Sequence, residues 1–248
     1  LWAHLKKIKM RKILILFCFL VTIKTFSQKI YNGKVTYTVS LNTSLKNSIL
    51  KNNNKEVQKL LNDINKNAKT IDAELKFTNI ESIYSIIDKL DIKDDLSTKI
   101  SKARAGGEKI YYYNNFSNEK IVQDCDLLGE CFLINLDIVK WELHNYSKII
   151  NGYLCYYATY KVKKDKVYEI SAWYTPKIPI NFGPLTYSGL PGLILELTDG
   201  VTNFTAKQIS LNLKILEIEK PTKGKKVTEK EFLQIAEKSM PKDLFKNE

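Results

Sequence analysis

Alternating apolar and polar residues recur along most of this chain, and this period of two limits what it can fold into. In residues 31–41, Tyr31, Val35, Tyr37, Val39 and Leu41 would share one face of an extended strand. Comparable stretches follow at 71–78 and 82–87. The second half adds a series with a spacing of about 8–12 residues, at 109–114, 119–124, 131–136, 153–162, 167–175, 192–198, 202–210 and 211–219. The pattern predicts a mainly β (α+β) protein, in which a curved antiparallel sheet or half-barrel is covered by one or two helices.

Two segments have the spacing of helices instead. Residues 55–67 carry aliphatic side chains at helical intervals in a background of lysine and asparagine. Near the end of the chain, Thr228 and Glu231 have the spacing of a capping box, an apolar stripe follows, and Pro241 would stop the helix. Residues 88–107 are charged and end in two glycines, which predicts a mobile loop.

The first residues have the pattern of an export signal. A basic start at residues 10–12 precedes an apolar run at residues 13–21, which is too short to span a membrane. We expect residues 1–27, an upstream extension plus a signal peptide, to be removed after Ser27. Residues 28–248 would then form a single β-rich domain. The expected location is outside the cytoplasm, in the periplasm rather than the medium, with no transmembrane segment after cleavage.

The charge of the chain bears on its partners. Removing residues 1–27 takes away six basic side chains, which halves the formal net charge from +12 to +6. The remaining lysines are scattered among asparagines and lack the arginine and aromatic clusters that are typical of nucleic-acid binding. We therefore expect a solvated, lysine-rich surface and no nucleic-acid partner.

Three cysteines remain after residue 27. In an oxidising compartment Cys125 and Cys131 could close a hairpin as a disulfide, and Cys155 would be buried in a strand. There is no Cys-x-x-Cys pair, and His144 is the single histidine of this part, so the usual zinc ligands are missing. We expect no metal and no cofactor.

Familiar catalytic motifs are missing too. The segment from Gly183 to Gly189 lacks the lysine that must follow the second glycine of a phosphate-binding loop, and no Gly-x-Ser-x-Gly elbow occurs there. We interpret His144 as an ordinary surface histidine. The remaining enzymatic hypothesis is a hydrolase that uses two strand carboxylates, Glu169 and Glu196.

The predicted strands around these carboxylates have a mixed face that suits a cleft. Tyr157 lies on one such face, Glu169 and Trp173 lie on the next, and Glu196 is expected to share its face with Ile194. Our leading hypothesis is a non-enzymatic envelope protein that binds a small ligand, a lipid or a protein partner through these side chains, in the concave face of the sheet. A structural component of an envelope assembly is a further alternative.

Residues 172–196 are dense in proline and glycine and resemble a known signature. The stretch runs Ala172-Trp173-Tyr174-Thr175-Pro176-Lys177-Ile178-Pro179-Ile180, then Gly183-Pro184, then Ser188-Gly189-Leu190-Pro191-Gly192-Leu193-Ile194-Leu195-Glu196. It closely resembles the GLPGLI family, exported proteins of Bacteroidota named after that hexapeptide. The resemblance implies an exported protein of about this length, without an established reaction or assigned catalytic residues.

A structural role also explains this motif. Proline fixes φ and glycine opens the left-handed region, so their alternation specifies one backbone path. Pro176 and Pro179 would end the Trp173 strand, and Gly183-Pro184 would turn the chain. Gly189-Leu190-Pro191-Gly192 would then pack closely before the strand that starts at Leu193 and Ile194. We interpret the motif as a crossover that leads into a central strand.

Overall fold

Strands make up most of the regular structure in the computed structural model, which describes residues 32–42, 55–87, 95–126, 129–163, 167–214 and 216–239. The strands are β1 (Gly33–Leu41), β2 (Ile71–Phe77), β3 (Glu81–Ile86), β4 (Ile110–Asn114), β5 (Glu119–Asp124), β6 (Phe132–Asn135), β7 (Glu142–Ile150), β8 (Tyr153–Lys163), β9 (Val167–Thr175), β10 (Leu193–Thr198), β11 (Thr202–Leu211) and β12 (Lys225–Thr228). The helices in these ranges are α1 (Lys55–Asn67), α2 (Leu96–Ala105) and α3 (Glu229–Ser239). The predicted signal peptide and Pro241 lie outside the described residues.

Within these ranges the strands form one open, curled sheet. Its order is β12-β6-β5-β4-β3-β2-β1-β11-β10-β9-β8-β7, so β12 and β7 are the edges. Neighbouring strands are antiparallel, except that β12 runs parallel to β6. The prediction of a mainly β protein built on a curved sheet is confirmed.

One face of the sheet, called here the covered face, holds the main hydrophobic core. Tyr84 donates from its hydroxyl to the carbonyl of Ala105 at 2.8 Å, which holds the end of α2 against this face. At the β12 edge, α3 packs on β6 with the rings of Phe232 and Phe132 5.4 Å apart. The central strands supply the most deeply buried side chains, among them Val35, Tyr37, Ala73, Leu75, Ala172, Ile194, Leu197 and Phe204. Because β1, β2 and β3 bury one face only, their residues alternate clearly between buried and partly exposed positions.

The crossover between β9 and β10, residues 176–192, packs on the covered face. The N–H of Leu193 donates to the carbonyl of Ile178, and the N–H of Ile194 donates to the carbonyl of Phe182, each at 3.0 Å. A Cβ at Gly183 would lie 2.6 Å from the Cδ1 of Ile194, so no larger residue fits without displacement. The crossover buries Ile178, Ile180, Phe182 and Leu190. Its prolines and glycines therefore shape a segment that closes the core.

Helix α2 corrects the prediction of a mobile loop at residues 88–107, of which 95–107 are described. Asp95 caps the helix by accepting the N–H of Thr98 at 2.8 Å, and Gly106 ends it with a φ of +130°. No apolar stripe marks α2 in the sequence, because its buried side chains are small and mostly polar: Ser97, Thr98, Ser101 and Ala105.

Strand predictions were also wrong at the end of β11 and at β7. No strand follows Leu211 at residues 212–214 or 216–219, because the chain turns out of the sheet at Asn212, whose φ is +58°. Strand β7 was missed, since only Ile150 of its nine residues is buried. An edge strand without a buried face carries no alternating pattern to detect.

Candidate functional site

Three of the predicted site residues stand side by side on the face opposite the core, called here the open face. In the register of the sheet Tyr157 of β8 lies opposite Trp173 of β9, and Trp173 lies opposite Glu196 of β10. Directly opposed residues of an antiparallel pair project to the same side, with Cβ atoms about 5 Å apart. The sheet therefore brings these three side chains into one row.

A β-bulge at Leu195 decides where Glu196 points. The pairing of β10 with β9 shifts between Ile194 and Glu196, so that Ile194 lies opposite Tyr174 while Glu196 lies opposite Trp173. Ile194 thus joins the covered face, which corrects the expectation that it shares a face with Glu196. The extra residue re-aims the strand by one position, which is the usual effect of a bulge.

The bulge is supported from the core. Tyr37 is fully buried and donates from its hydroxyl to the carbonyl of Ile194 at 2.6 Å. Burial raises the pKa of Tyr37 above its ordinary value, so the hydroxyl stays protonated and remains a donor. This hydrogen bond gives the buried carbonyl of Ile194 a partner at the bulge, beside the site.

Lys148 of β7 joins Glu196 to Trp173. Its ammonium forms an ion pair with the Glu196 carboxylate and lies 4.5 Å from the centroid of the Trp173 ring. The side chains of Lys148 and Glu196 are 39% and 29% exposed, so solvent partly screens the pair. An ammonium over an indole face adds a cation–π contact. The carboxylate is therefore balanced by a fixed internal cation.

Aromatic side chains extend this site toward the edge of the sheet. The pairing of β7 with β8 is irregular between Leu143 and Ser147, and the residues between them lie over Tyr157. The ring of His144 is 5.4 Å from that of Tyr157, Tyr146 is 6.1 Å from it, and Tyr157 is 4.9 Å from Trp173. We call His144, Tyr146, Tyr157 and Trp173 the aromatic cluster. Tyr146 is 67% exposed, so the cluster is open to solvent.

The reactive groups beside the cluster are already engaged or protonated. His144 places its Nε2 2.8 Å from the hydroxyl of Thr159, itself buried. Cys155 of β8 lies opposite Lys148 of β7 in the sheet, and burial raises the pKa of its thiol to about 11. A thiol with so high a pKa is a poor nucleophile near neutral pH.

Glu169 does not join Glu196. It shares the open face but lies opposite Lys161, four residues along β9 from Trp173, and its side chain is exposed. At roughly 3.3 Å per residue, that offset is about 13 Å. The two catalytic carboxyl groups of glycosidases lie about 5–9.5 Å apart, and those of aspartic proteases lie closer still. The structure thus leaves the proposed hydrolytic pair unassembled.

A depression of about 340 Å³ lies next to Trp173 on the open face. Its wall is formed by Ser40, Ser171, Trp173, Glu196, Leu197, Thr198, Asn203, Phe204 and Thr205. Larger depressions beside α2 and α3, of about 580 and 700 Å³, have no aromatic side chain in their walls. Of these three depressions in the described part of the chain, the one beside Trp173 combines an aromatic wall with convergent polar groups.

The sequence did not reveal the contribution of β7. Because residues 142–150 show no strand pattern, the sequence predicts a surface position for His144 and no site role for Tyr146 or Lys148. A usable signal was the density of aromatic and charged residues in a short segment just before a predicted strand.

Other predictions concern features away from this site. Cys125 and Cys131 form a disulfide, and Cys155 is a buried free thiol. Among the described residues no group of three or more His, Cys, Asp and Glu side chains could hold a metal ion. No helix of the described ranges is long and apolar enough to cross a bilayer.

These features define a class: an open, curled β-sheet protein with one covered face and an aromatic, polar site on the other. Residues 160–196, which include Trp173 and Glu196, match the sequence profile of a family described as "Protein of unknown function (Porph_ging)". No curated protein matches the chain.

The fold is similar to part of PNGF-II. Its crystal structures in space groups C2 and P21 each give a TM-score of 0.51, with 15% and 16% sequence identity. The match covers 85% of this chain and 33% and 34% of the PNGF-II chains, so this chain spans about a third of their length. At this identity the likeness shows the fold alone.

Proposed function

We propose that this protein is an exported member of the GLPGLI family that binds a ligand on the open face of its sheet without catalysing a reaction. The family assignment rests on the resemblance of residues 172–196 to the GLPGLI signature, and these residues lie within the match at residues 160–196. Export to the periplasm is supported by the basic and apolar pattern of residues 10–21.

The observation that carries the binding proposal is the aromatic cluster beside the depression. Aromatic side chains offer large apolar area at a low cost in conformational entropy, and ligand sites combine such area with a few placed polar groups. Tyr157 and Trp173 remain partly exposed on the open face, whereas the core side chains of the covered face are buried. Four strands hold the site in place, which limits the reorganisation that binding would require.

Binding is favoured over catalysis because the candidate reactive groups are ion-paired, too far apart or protonated. Glu196 is paired with Lys148, and Glu169 is about 13 Å away along β9. The raised pKa keeps Cys155 protonated near neutral pH. General acid–base catalysis needs a group with a tuned pKa within reach of a substrate.

Thermal denaturation against a panel of lipids, peptides and glycans tests the proposal. We expect at least one ligand to raise the Tm saturably, and the shift to vanish in Trp173→Ala but to persist in Phe116→Ala. Phe116 is a matched control, since it is 92% exposed in the turn between β4 and β5. Trp173→Phe, which retains a ring, guards against simple unfolding. A panel without any shift would contradict the proposal.

Export has its own test. The chain is expressed with residues 1–27 in a bacterial host that has an outer membrane. It should be recovered from the periplasmic fraction with Gln28 at its N-terminus, as determined by mass spectrometry. Retention in the cytoplasm at full length would contradict it.

A further inference from the structure

Four neutral polar side chains stand in one row across the depression beside Trp173. Ser171 lies opposite Thr198, Thr198 lies opposite Asn203, and Asn203 lies opposite Ser40. Neighbouring strands are roughly 4.8 Å apart, so the row presents hydroxyl and amide groups at regular short intervals on β9, β10, β11 and β1. All four side chains are half-buried and therefore reachable from solvent.

Most of these groups have hydrogen-bonding capacity to spare. Thr198 accepts the N–H of Gly200 at 3.3 Å through its hydroxyl. The side chains of Ser40, Ser171 and Asn203 make no hydrogen bond with any residue in the described ranges. A ligand with many donors and acceptors could satisfy them.

The depression also carries no net charge. Glu196 is the one ionisable side chain in its wall, and Lys148 neutralises it. A charged ligand would gain no unpaired counter-charge here and would lose its hydration. The electrostatics of the site therefore select for a neutral ligand.

Trp173 adds an apolar wall one row further along β9. A cyclic sugar has C–H groups on its ring faces and hydroxyls around its rim. It can therefore lay an apolar face against an indole while its hydroxyls meet neighbouring polar side chains. The arrangement of one indole beside a row of hydroxyl and amide groups has this complementarity.

We infer that the depression binds a neutral carbohydrate, with Trp173 packing against a sugar ring and with Ser171, Asn203 and Ser40 hydrogen-bonding to its hydroxyls. This inference rests on the binding function proposed above and specifies its ligand. Glu196 accepts a further hydroxyl with the oxygen that does not contact Lys148.

Other ligand classes fit less well. A lipid chain needs apolar area, but the side chains of Leu197 and Phe204 are buried on the covered face. An extended peptide binds by adding a strand to a free sheet edge, whereas β9, β10, β11 and β1 are each paired on both sides. The site thus offers side-chain groups on a flat polar surface rather than main-chain pairing.

The test is equilibrium binding of the purified protein to an array of neutral oligosaccharides of glucose, galactose, mannose and N-acetylglucosamine, followed by calorimetry with the bound sugar. Phosphatidylglycerol vesicles and a random peptide library are the comparison arms. The Ser171→Ala/Asn203→Ala variant should weaken sugar binding at least about tenfold, since each lost hydrogen bond is worth about 1 kcal/mol. Ser210→Ala, on the open face of β11 away from the depression, should leave the affinity unchanged.

The outcomes separate this inference from the proposed function. Sugar binding that the double variant weakens and Ser210→Ala spares supports both. Sugar binding that the double variant leaves intact overturns the inference. Binding of vesicles or peptides through Trp173 without any sugar overturns it too, but leaves the proposed function standing. Silence in all arms overturns both. Circular dichroism of the double variant identifies a loss caused by unfolding, in which case the single variant Ser40→Ala replaces it.

Discussion

Replacing Lys120 by methionine should stabilise the protein at neutral pH. Lys120 lies on β5 opposite Tyr113 and is only 2% exposed. Its ammonium has no hydrogen-bond partner among the described residues, and it lies 5.5 Å from the centroid of the Tyr113 ring. Burial lowers the pKa of Lys120 from 10.5 to about 8, although Asp137 acts in the opposite direction. The folded protein therefore holds a charged group at a cost.

The size and sign of this cost follow from the two pKa values. Below pH 8 the amine is charged in both states, and the lowering of its pKa from 10.5 to about 8 corresponds to roughly 3 kcal/mol of lost stability. Between pH 8 and 10.5 the folded state has released the proton that the unfolded state still binds. Stability therefore rises with pH in this window, and the cost falls to about 1.5 kcal/mol at pH 9.5.

Urea denaturation at pH 7 and pH 9.5 measures the difference in the free energy of unfolding between the variant and the natural protein. Methionine has a similar length and needs no hydrogen bond, so Lys120→Met should be more stable by up to about 3 kcal/mol at pH 7 and by about half of that at pH 9.5. Other titrating groups are common to both proteins and cancel. Lys161→Met, at a side chain 59% exposed, is the control and should change stability by less than about 0.5 kcal/mol.

Two results would contradict a destabilising buried charge at Lys120. An advantage of equal size at both pH values would show that methionine acts through packing rather than through removal of a charge. A variant that is less stable than the natural protein at pH 7 would show that the Lys120 ammonium is paired in solution.

Three further substitutions test individual contacts that stabilise the fold. Gly183→Ala should lower the free energy of unfolding by about 1–3 kcal/mol, because its Cβ would overlap Ile194; an unchanged urea midpoint would contradict this. Tyr37→Phe should cost about 1–3 kcal/mol, since it leaves the Ile194 carbonyl unsatisfied in the core; stability equal to that of the natural protein would rule out this hydrogen bond. Replacing Cys125 and Cys131 together by serine should cost about 2 kcal/mol, the entropy of a short closed loop. No change in Tm between oxidised and reduced natural protein would contradict that estimate.

Local patterns predicted the parts of the fold that local physics dominates. Helix α1 begins and ends at Lys55 and Asn67 as predicted, because its aliphatic residues recur at helical intervals. Strand β1 likewise follows from a strict alternation that one buried face enforces. The capping box is present, with the Thr228 N–H donating to the Glu231 carboxylate at 2.8 Å.

Elements that owe their stability to neighbours were missed. Helix α2 buries serine, threonine and alanine, so nothing in its composition distinguishes it from a polar loop. Strand β12 has four residues and pairs in parallel with β6, far from it in the chain. Pairing over such a distance leaves no local trace in the sequence.

The candidate site divides in the same way. Tyr157, Trp173 and Glu196 were singled out from the mixed faces of their strands, and the register places them in one row. Glu169 was included by the same argument, but parity within a strand says nothing about distance along it. Lys148 belongs to the irregular edge strand β7, whose residues show no alternation of apolar and polar side chains that would have predicted a strand.

Backbone preferences and side-chain periodicity act over a few residues. The β-rich class, the strand-forming stretches and the proline-glycine crossover can therefore be predicted from the amino-acid sequence. Which side chains meet follows from the tertiary structure. The bulge at Leu195 turns Glu196 toward Trp173, and the edge strand β7 brings Lys148 over both. The core leaves the Lys120 ammonium without a hydrogen-bond partner among the described residues. Such juxtapositions depend on register and long-range pairing, which no single segment encodes.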